Sequence, residues 1–233
     1  MHVPDGFLDV PTSVATGVVA AAGIAIALRG ARRELDDRTA PMAGLVAAFV
    51  FAAQMLNFPV GAGTSGHLLG GALAAVLVGP YTAALCLAVV LLVQGLLFAD
   101  GGITALGTNI SLFSLVAVGT GWLVFRGLQM AFPKRLNLVP ILAGVAALFS
   151  VPVTAVAFVG LFAIGGQASV SLDAVFATMV SWHLLIGIGE ALITALAVGS
   201  VVATRPDLVR GARHLVAERE LEIRTPTTDG AVS

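Results

Sequence analysis

Charge and cysteine are both scarce in this chain. Of its 233 residues only 11% are charged, 58% are hydrophobic, and the mean hydropathy is +1.00. Soluble domains carry about 25% charged residues. A soluble globular fold is therefore excluded, and a polytopic membrane protein is expected. The single cysteine, Cys86, lies in an apolar run. It excludes an internal disulfide and any metal site built on a cysteine pair. The formal net charge of −1 excludes a basic nucleic-acid binder. No Lys or Arg precedes the first apolar segment, so a cleavable signal peptide is not expected. There is no Walker A motif, no HExxH and no nucleophile beside an obvious base. An enzyme is not indicated, and the chain shows no means of using ATP itself. No internal repeat is visible, which weighs against an inverted-repeat secondary transporter.

Seven apolar segments are present instead. They run roughly from Pro11 to Leu28, Ala40 to Leu56, Gly66 to Val78, Tyr81 to Phe98, Thr108 to Met130, Leu138 to Ile164 and Ala174 to Ala203. The expected fold is all-α, a bundle of seven transmembrane helices. The third segment is short for a span, which needs about 20 residues. It ends at Val78-Gly79-Pro80-Tyr81, a turn signal. Short helices in transporters often flank binding sites. The transmembrane unit is expected over residues 1–204. A charged, partly disordered tail follows over residues 205–233, with Arg205 to Leu221 a candidate surface helix.

All twelve basic residues fall in three places: Arg29 to Arg38, Arg126 to Arg135, and Arg205 onward. An odd number of helices puts all three on one face, cytoplasmic by the positive-inside rule. The N-terminus is then outside and the C-terminus cytoplasmic. The outer loops carry Asp5, Asp9, Asp100 and Asp173 and no basic residue, an acidic, cation-attracting mouth.

The N-terminus carries the strongest chemical signal. His2 sits one residue from the α-amine of Met1. The amine, the His2 amide nitrogen and ring Nδ1 can close two fused chelate rings on one metal ion. An initiator methionine before His escapes trimming, so the amine is expected to be free. Pro4, Asp5 and Gly6 fold a turn that can dip this segment into the bundle mouth. His67, after Gly61-Ala-Gly-Thr-Ser-Gly66, lies on the same outer face and is the natural fourth nitrogen. An all-nitrogen set favours a late transition metal such as Ni(II), Cu(II) or Co(II) over Mg(II) or Ca(II). Thr64 or Ser65 is expected to cap the third helix. Asn57, Thr64, Ser65 and Asn109 are candidate orienting partners of the ligands, ordinary helix-end capping being the alternative.

His183 and Glu190 are two helical turns apart and share a face. Glu190 is expected near mid-membrane, paired with His183 or Gln94. A second metal stop, a proton-linked gate and polar packing between helices are the open readings. Gly44, Ala48 and Ala52 form a small-residue stripe. Internal packing is its default role and contact with a partner the alternative.

The stretches Met1-His-Val-Pro-Asp-Gly-Phe-Leu8, Asn57-Phe-Pro-Val60, Gly63-Thr-Ser-Gly-His-Leu-Leu-Gly-Gly71, Asp100-Gly-Gly-Ile-Thr-Ala-Leu-Gly-Thr-Asn109 and His183-x6-Glu190 together have a familiar look. Over about Met1 to Thr204 the chain resembles the CbiM and NikM proteins, cobalt/nickel substrate-capture subunits of energy-coupling-factor ABC transporters. The resemblance implies that Met1, His2 and His67 hold the metal. It implies import of Co(II) or Ni(II) across the cytoplasmic membrane, with cobalt import feeding cobalamin synthesis. The partners it implies are a transmembrane coupling protein, cytoplasmic ATPase subunits and a small two-helix accessory subunit. Some nickel members carry the accessory part fused at the C-terminus. Its lack here leans toward cobalt systems, although the ligands suit both metals. A stand-alone channel, a proton-coupled metal carrier using Glu190 and a membrane metal sensor are the rival classes.

Overall fold

The computed structural model describes residues 2–37, 39–61 and 64–216. Met1, Arg38 and the tail beyond residue 216, with Arg219 and Arg224, lie outside the described residues.

Helices dominate. They are α1 (Val10–Ala31), α2 (Ala40–Met55), α3 (Gly71–Val78), α4 (Pro80–Leu97), α5 (Leu106–Ala131), α6 (Val139–Gly165) and α7 (Leu172–Thr204). Each expected segment yields one helix. Proline in the first turn starts α1, α2, α4 and α6. It costs little there, since that N–H lacks an intrahelical partner anyway. Asp9 caps α1 by accepting from the Thr12 amide at 2.8 Å, and Ser171 caps α7.

Five helices, α1 and α4 to α7, are long and apolar enough to cross a membrane, and α2 is shorter at 16 residues. The third helix, expected to be short for a span, is shorter still. With 8 residues, α3 is about 12 Å long, far short of a hydrocarbon core of about 30 Å. Every residue of α3 is buried, so it is a core helix wrapped by the others. Residues 67–70 run in as irregular backbone, and α3 continues to the far end of the bundle. There the carbonyls of Val76 and Leu77 accept from the amides of Gly211 and Arg210. Non-helical backbone at depth survives in a membrane protein only when protein shields it.

Two expectations are corrected. Residues before α3 form a hairpin, β1 (Phe58–Gly61) against antiparallel β2 (Thr64–Gly66), rather than a helix start. Thr64 and Ser65 thus sit in a strand several residues before α3 rather than at its start. Gly70, with a left-handed φ of 78°, occupies the position before the helix. The described part of the segment after α7, residues 205–216, is also not a free surface helix. A 3-10 turn at Pro206–Leu208 leads to Val209, Ala212 and Leu215, all buried against the bundle.

Within α5, Ile110–Ala117 is π-helical. Such segments shift the side-chain register and often mark functional sites. Ser111 and Ser114 brace it by donating to the carbonyls of Thr16 and Ala84.

Candidate metal centre at the N-terminal end

The chain enters through a segment that is packed in. His2 and Val3 are 5% and 0% exposed. Phe7 and Leu8 are buried too, and Phe7 stacks on Phe158. Backbone bonds tie the segment at two places. The Phe7 carbonyl accepts from Gln167, and the Asp9 amide donates to Gly165. The loop after α4 closes over the other side. Gly102 donates to the Val3 carbonyl at 2.9 Å, and Asp5 accepts from the Thr104 amide and hydroxyl. A Cβ on Gly102 would meet the Pro4–Asp5 backbone, so glycine is what allows this approach.

Asn109 locks Val3 from both sides. Its Oδ1 accepts from the Val3 amide at 2.8 Å, and its Nδ2 donates to the Val3 carbonyl at 3.2 Å. A side-chain amide here stands in for a neighbouring strand. The sequence singled out Asn109 as an orienting residue, and the structure places it one residue from His2. Asn109→Ala would strand the buried Val3 amide, at about 1–3 kcal/mol, while the Val3 carbonyl keeps its bond from Gly102. We expect that variant to melt lower and to hold metal about 10–100-fold more weakly. Calorimetry and equilibrium dialysis on the detergent-purified chain measure both.

His2 and His67 converge. Their rings stack with centroids 4.5 Å apart and planes 24° off parallel. Phe113, from the π-helical part of α5, stacks on both, at 5.2 and 5.5 Å. His67 is 1% exposed. His67 Nδ1 lies 2.9 Å from the Leu68 carbonyl and donates to it. His67 Nε2 is then the nitrogen with a free lone pair, and it is buried with no hydrogen-bond partner among the described residues.

His2 differs in one respect that bears on the fused chelate. Its Nδ1 lies 3.1 Å from Asp100 Oδ1, and its Nε2 is buried with no hydrogen-bond partner among the described residues. Burial pushes the ring below its ordinary pKa, an effect partly offset by the hydrogen bond to Asp100. The same bond holds the Asp100 carboxyl below its usual value. A neutral imidazole donating Nδ1–H to a carboxylate satisfies both. Asn57 donates to the other Asp100 oxygen at 3.4 Å.

Glu190 pairs with neither His183 nor Gln94. Its two oxygens accept from the amides of Leu69 at 2.7 Å and Gly70 at 2.9 Å. The carboxylate thus clamps the backbone just beyond His67 and serves the start of α3, the role expected of Thr64 or Ser65. Gln94 lies instead in the surroundings of His2. His183 is fully buried, and its Nδ1 donates to the Met179 carbonyl one turn back. Glu190→Ala would strand two buried amides, at about 1–3 kcal/mol each, whereas Glu190→Gln keeps one acceptor. We expect the alanine variant to lose several degrees of melting temperature and the glutamine variant about half as much, read by thermal unfolding in nanodiscs.

Among the described residues, no three His, Cys, Asp or Glu side chains are grouped to hold a metal. Phe113 and the Glu190 clamp escaped the sequence reading. Phe113 carries no polar signature, and the clamp joins residues far apart in sequence.

The comparisons with known proteins agree with this architecture. A family described as the cobalt uptake substrate-specific transmembrane region, CbiM, matches residues 2–208. A putative fused nickel transport protein NikMN of Archaeoglobus fulgidus is 40% identical over 210 residues, 90% of this chain and 68% of that protein. A cobalt transport protein CbiM of Sorangium cellulosum is 34% identical over 214 residues, 90% of this chain and 94% of that protein. A crystal structure of a transition metal transporter aligns with a TM-score of 0.80 at 26% identity, over 96% of this chain and 100% of that one. The chain is a multi-pass membrane protein of the CbiM family, a family of cobalt and nickel transport proteins and not of enzymes.

Proposed function

We propose that this chain is the metal-capture subunit of an energy-coupling-factor importer in the cytoplasmic membrane, taking up Co(II) or Ni(II). The observation that carries the proposal is the buried pair His2 and His67, stacked at 4.5 Å, with His67 Nε2 unpartnered among the described residues. A buried polar nitrogen without a partner is costly, and a bound metal supplies the partner that His67 Nε2 lacks. The α-amine of Met1 and the His2 amide nitrogen provide the remaining donors. Chelation through His2 Nδ1 uses the tautomer with the ring proton on Nε2, so the Nδ1–H bond to Asp100 is given up for the metal bond as the metal enters. His67 needs no such exchange, because its Nε2 is already free. Nitrogen donors suit Co(II) and Ni(II) alike, and the names of the relatives divide between the two metals.

The basic residues define the cytoplasmic end. A metal held by such a site needs work to release it, and no nucleotide-binding motif is present. The work comes from partner ATPases acting through a transmembrane coupling protein, with a small two-helix accessory subunit completing the assembly. Gly44, Ala48 and Ala52 are all exposed along α2, and a Cβ on Gly44 meets nothing within 4 Å. The stripe therefore does not serve internal packing, and we assign it to partner contact, where small residues allow close helix approach. Ala48→Leu should impair ATP-driven uptake while leaving metal affinity of the isolated chain unchanged.

Radiolabelled Co(II) or Ni(II) uptake by cells expressing the chain with and without its ATPase and coupling subunits tests the proposal. Accumulation is expected only with the full set. Full-rate uptake by the chain alone in liposomes would establish a stand-alone carrier instead.

A further inference from the structure

A cavity lies at the end of the bundle opposite His2. It has a volume of about 320 Å³ and is walled by Arg29, Arg33, Arg210, Glu34, Tyr81 and Ile26. Two neighbouring arginines at this end are neutralised. Arg205 pairs with Asp207 at 2.8 Å and Arg213 with Asp36 at 3.3 Å. Among the described residues, no carboxylate pairs with Arg29, Arg33 or Arg210. The one carboxylate in the wall, Glu34, is 6% exposed and turned away. It accepts from the Thr82 amide at 2.7 Å and packs on Gly79 at the start of α4. Among the described residues the cavity thus has three guanidinium groups, and its one carboxylate, Glu34, is engaged by the Thr82 amide rather than by an arginine.

The fold builds this arrangement deliberately from distant segments. Arg29 and Arg33 come from the end of α1 and the turn after it. Arg210 is carried back by its amide bond to Leu77 at the end of α3, reinforced by Gly211 on Val76. The Tyr81 ring lies flat on Gly30, where any Cβ would overlap it. Tyr81 is 43% exposed and Ile26 58%. An exposed apolar wall running from the cavity along a membrane-crossing helix suits an acyl chain, and an aromatic ring at that level suits the interface.

We infer that this cavity binds the phosphate group of an anionic lipid headgroup, with the acyl chains along α1 and α4. Guanidinium donors match phosphate oxygens in geometry, and basic pockets between helices on the cytoplasmic side are suited to such headgroups. The site is separate from the metal centre and rests on the membrane embedding alone.

The test uses the full-length chain in nanodiscs of phosphatidylcholine, with and without phosphatidylglycerol. Lipid retained after transfer to detergent is read by native mass spectrometry. A parallel arm adds inorganic phosphate to lipid-free protein and reads the melting temperature. Wild type should retain phosphatidylglycerol over phosphatidylcholine. Arg29→Gln, Arg33→Gln and Arg210→Gln should each weaken retention about fivefold, and the lysine variants less. Arg126→Gln, at the same end but outside the cavity, should not. Metal retention by each variant checks that the fold is intact. Stabilisation by inorganic phosphate without lipid preference would assign the same arginines to a free phosphate. Unchanged retention in the glutamine variants, with no phosphate effect, would overturn the inference. So would a loss seen only when the coupling protein is present, which would make the cavity a protein interface.

Discussion

His67→Ala is expected to lower affinity for Co(II) and Ni(II) by more than about 100-fold, because losing even an outer partner of a metal ligand costs about 10–100-fold. His2→Ala should do the same. Both rings are buried and stacked, so the alanine variants also lose packing. His67→Phe separates the two effects. It keeps an aromatic face on Phe113 and deletes both nitrogens. Near volume-conserving core changes cost less than about 1.5 kcal/mol, so the melting temperature should stay close to wild type while metal binding is lost. Isothermal titration of the purified chain reads the affinity. Wild-type affinity in His67→Phe would remove His67 from the ligand set.

Adding residues before Met1 should be equally damaging. A peptide bond at that nitrogen takes away the amine lone pair and moves the free terminus elsewhere. The neighbouring residues amplify the effect, since His2 and Val3 are packed under the loop that carries Gly102. A bulky extension could act through crowding alone. Nα-acetylation adds only a few atoms and removes the same lone pair, so it isolates the chemistry. Both forms are expected to lose more than about 100-fold in affinity, whereas a C-terminal tag should change it little. Full metal retention by the acetylated protein would show that the amine is not a donor.

Much of this was readable in the residues. Hydropathy located each helix, and Gly79-Pro80 marked the break between α3 and α4 because proline suits a first turn. His2 and His67 were linked by chemistry and by their shared outer face, and their rings do meet. Other features depend on contacts that no local pattern encodes. The start of α3 was misplaced because its amide partner is Glu190, from the last helix, rather than a nearby hydroxyl. The hairpin at Phe58–Gly61 was hidden among apolar and glycine-rich residues that read equally well as a helix end and a loop. The π-helical stretch in α5 changes register without changing composition, so Phe113 looked like any core phenylalanine. The expected partner of Glu190 was wrong for a related reason. Shared helical face predicts His183, but that ring's Nδ1 bonds the i−4 carbonyl of Met179, and Glu190 accepts from the Leu69 and Gly70 amides instead.

If His2 and His67 hold one transition-metal ion together with backbone nitrogen, the metal's own shell should record it. X-ray absorption on the full-length, C-terminally tagged chain loaded with one equivalent of Ni(II) reads that shell. The expected result is a nitrogen-only shell with the outer scattering of two imidazoles, reduced to one in His67→Phe if any metal remains. A six-coordinate oxygen shell, or imidazole scattering unchanged by that substitution, would contradict it.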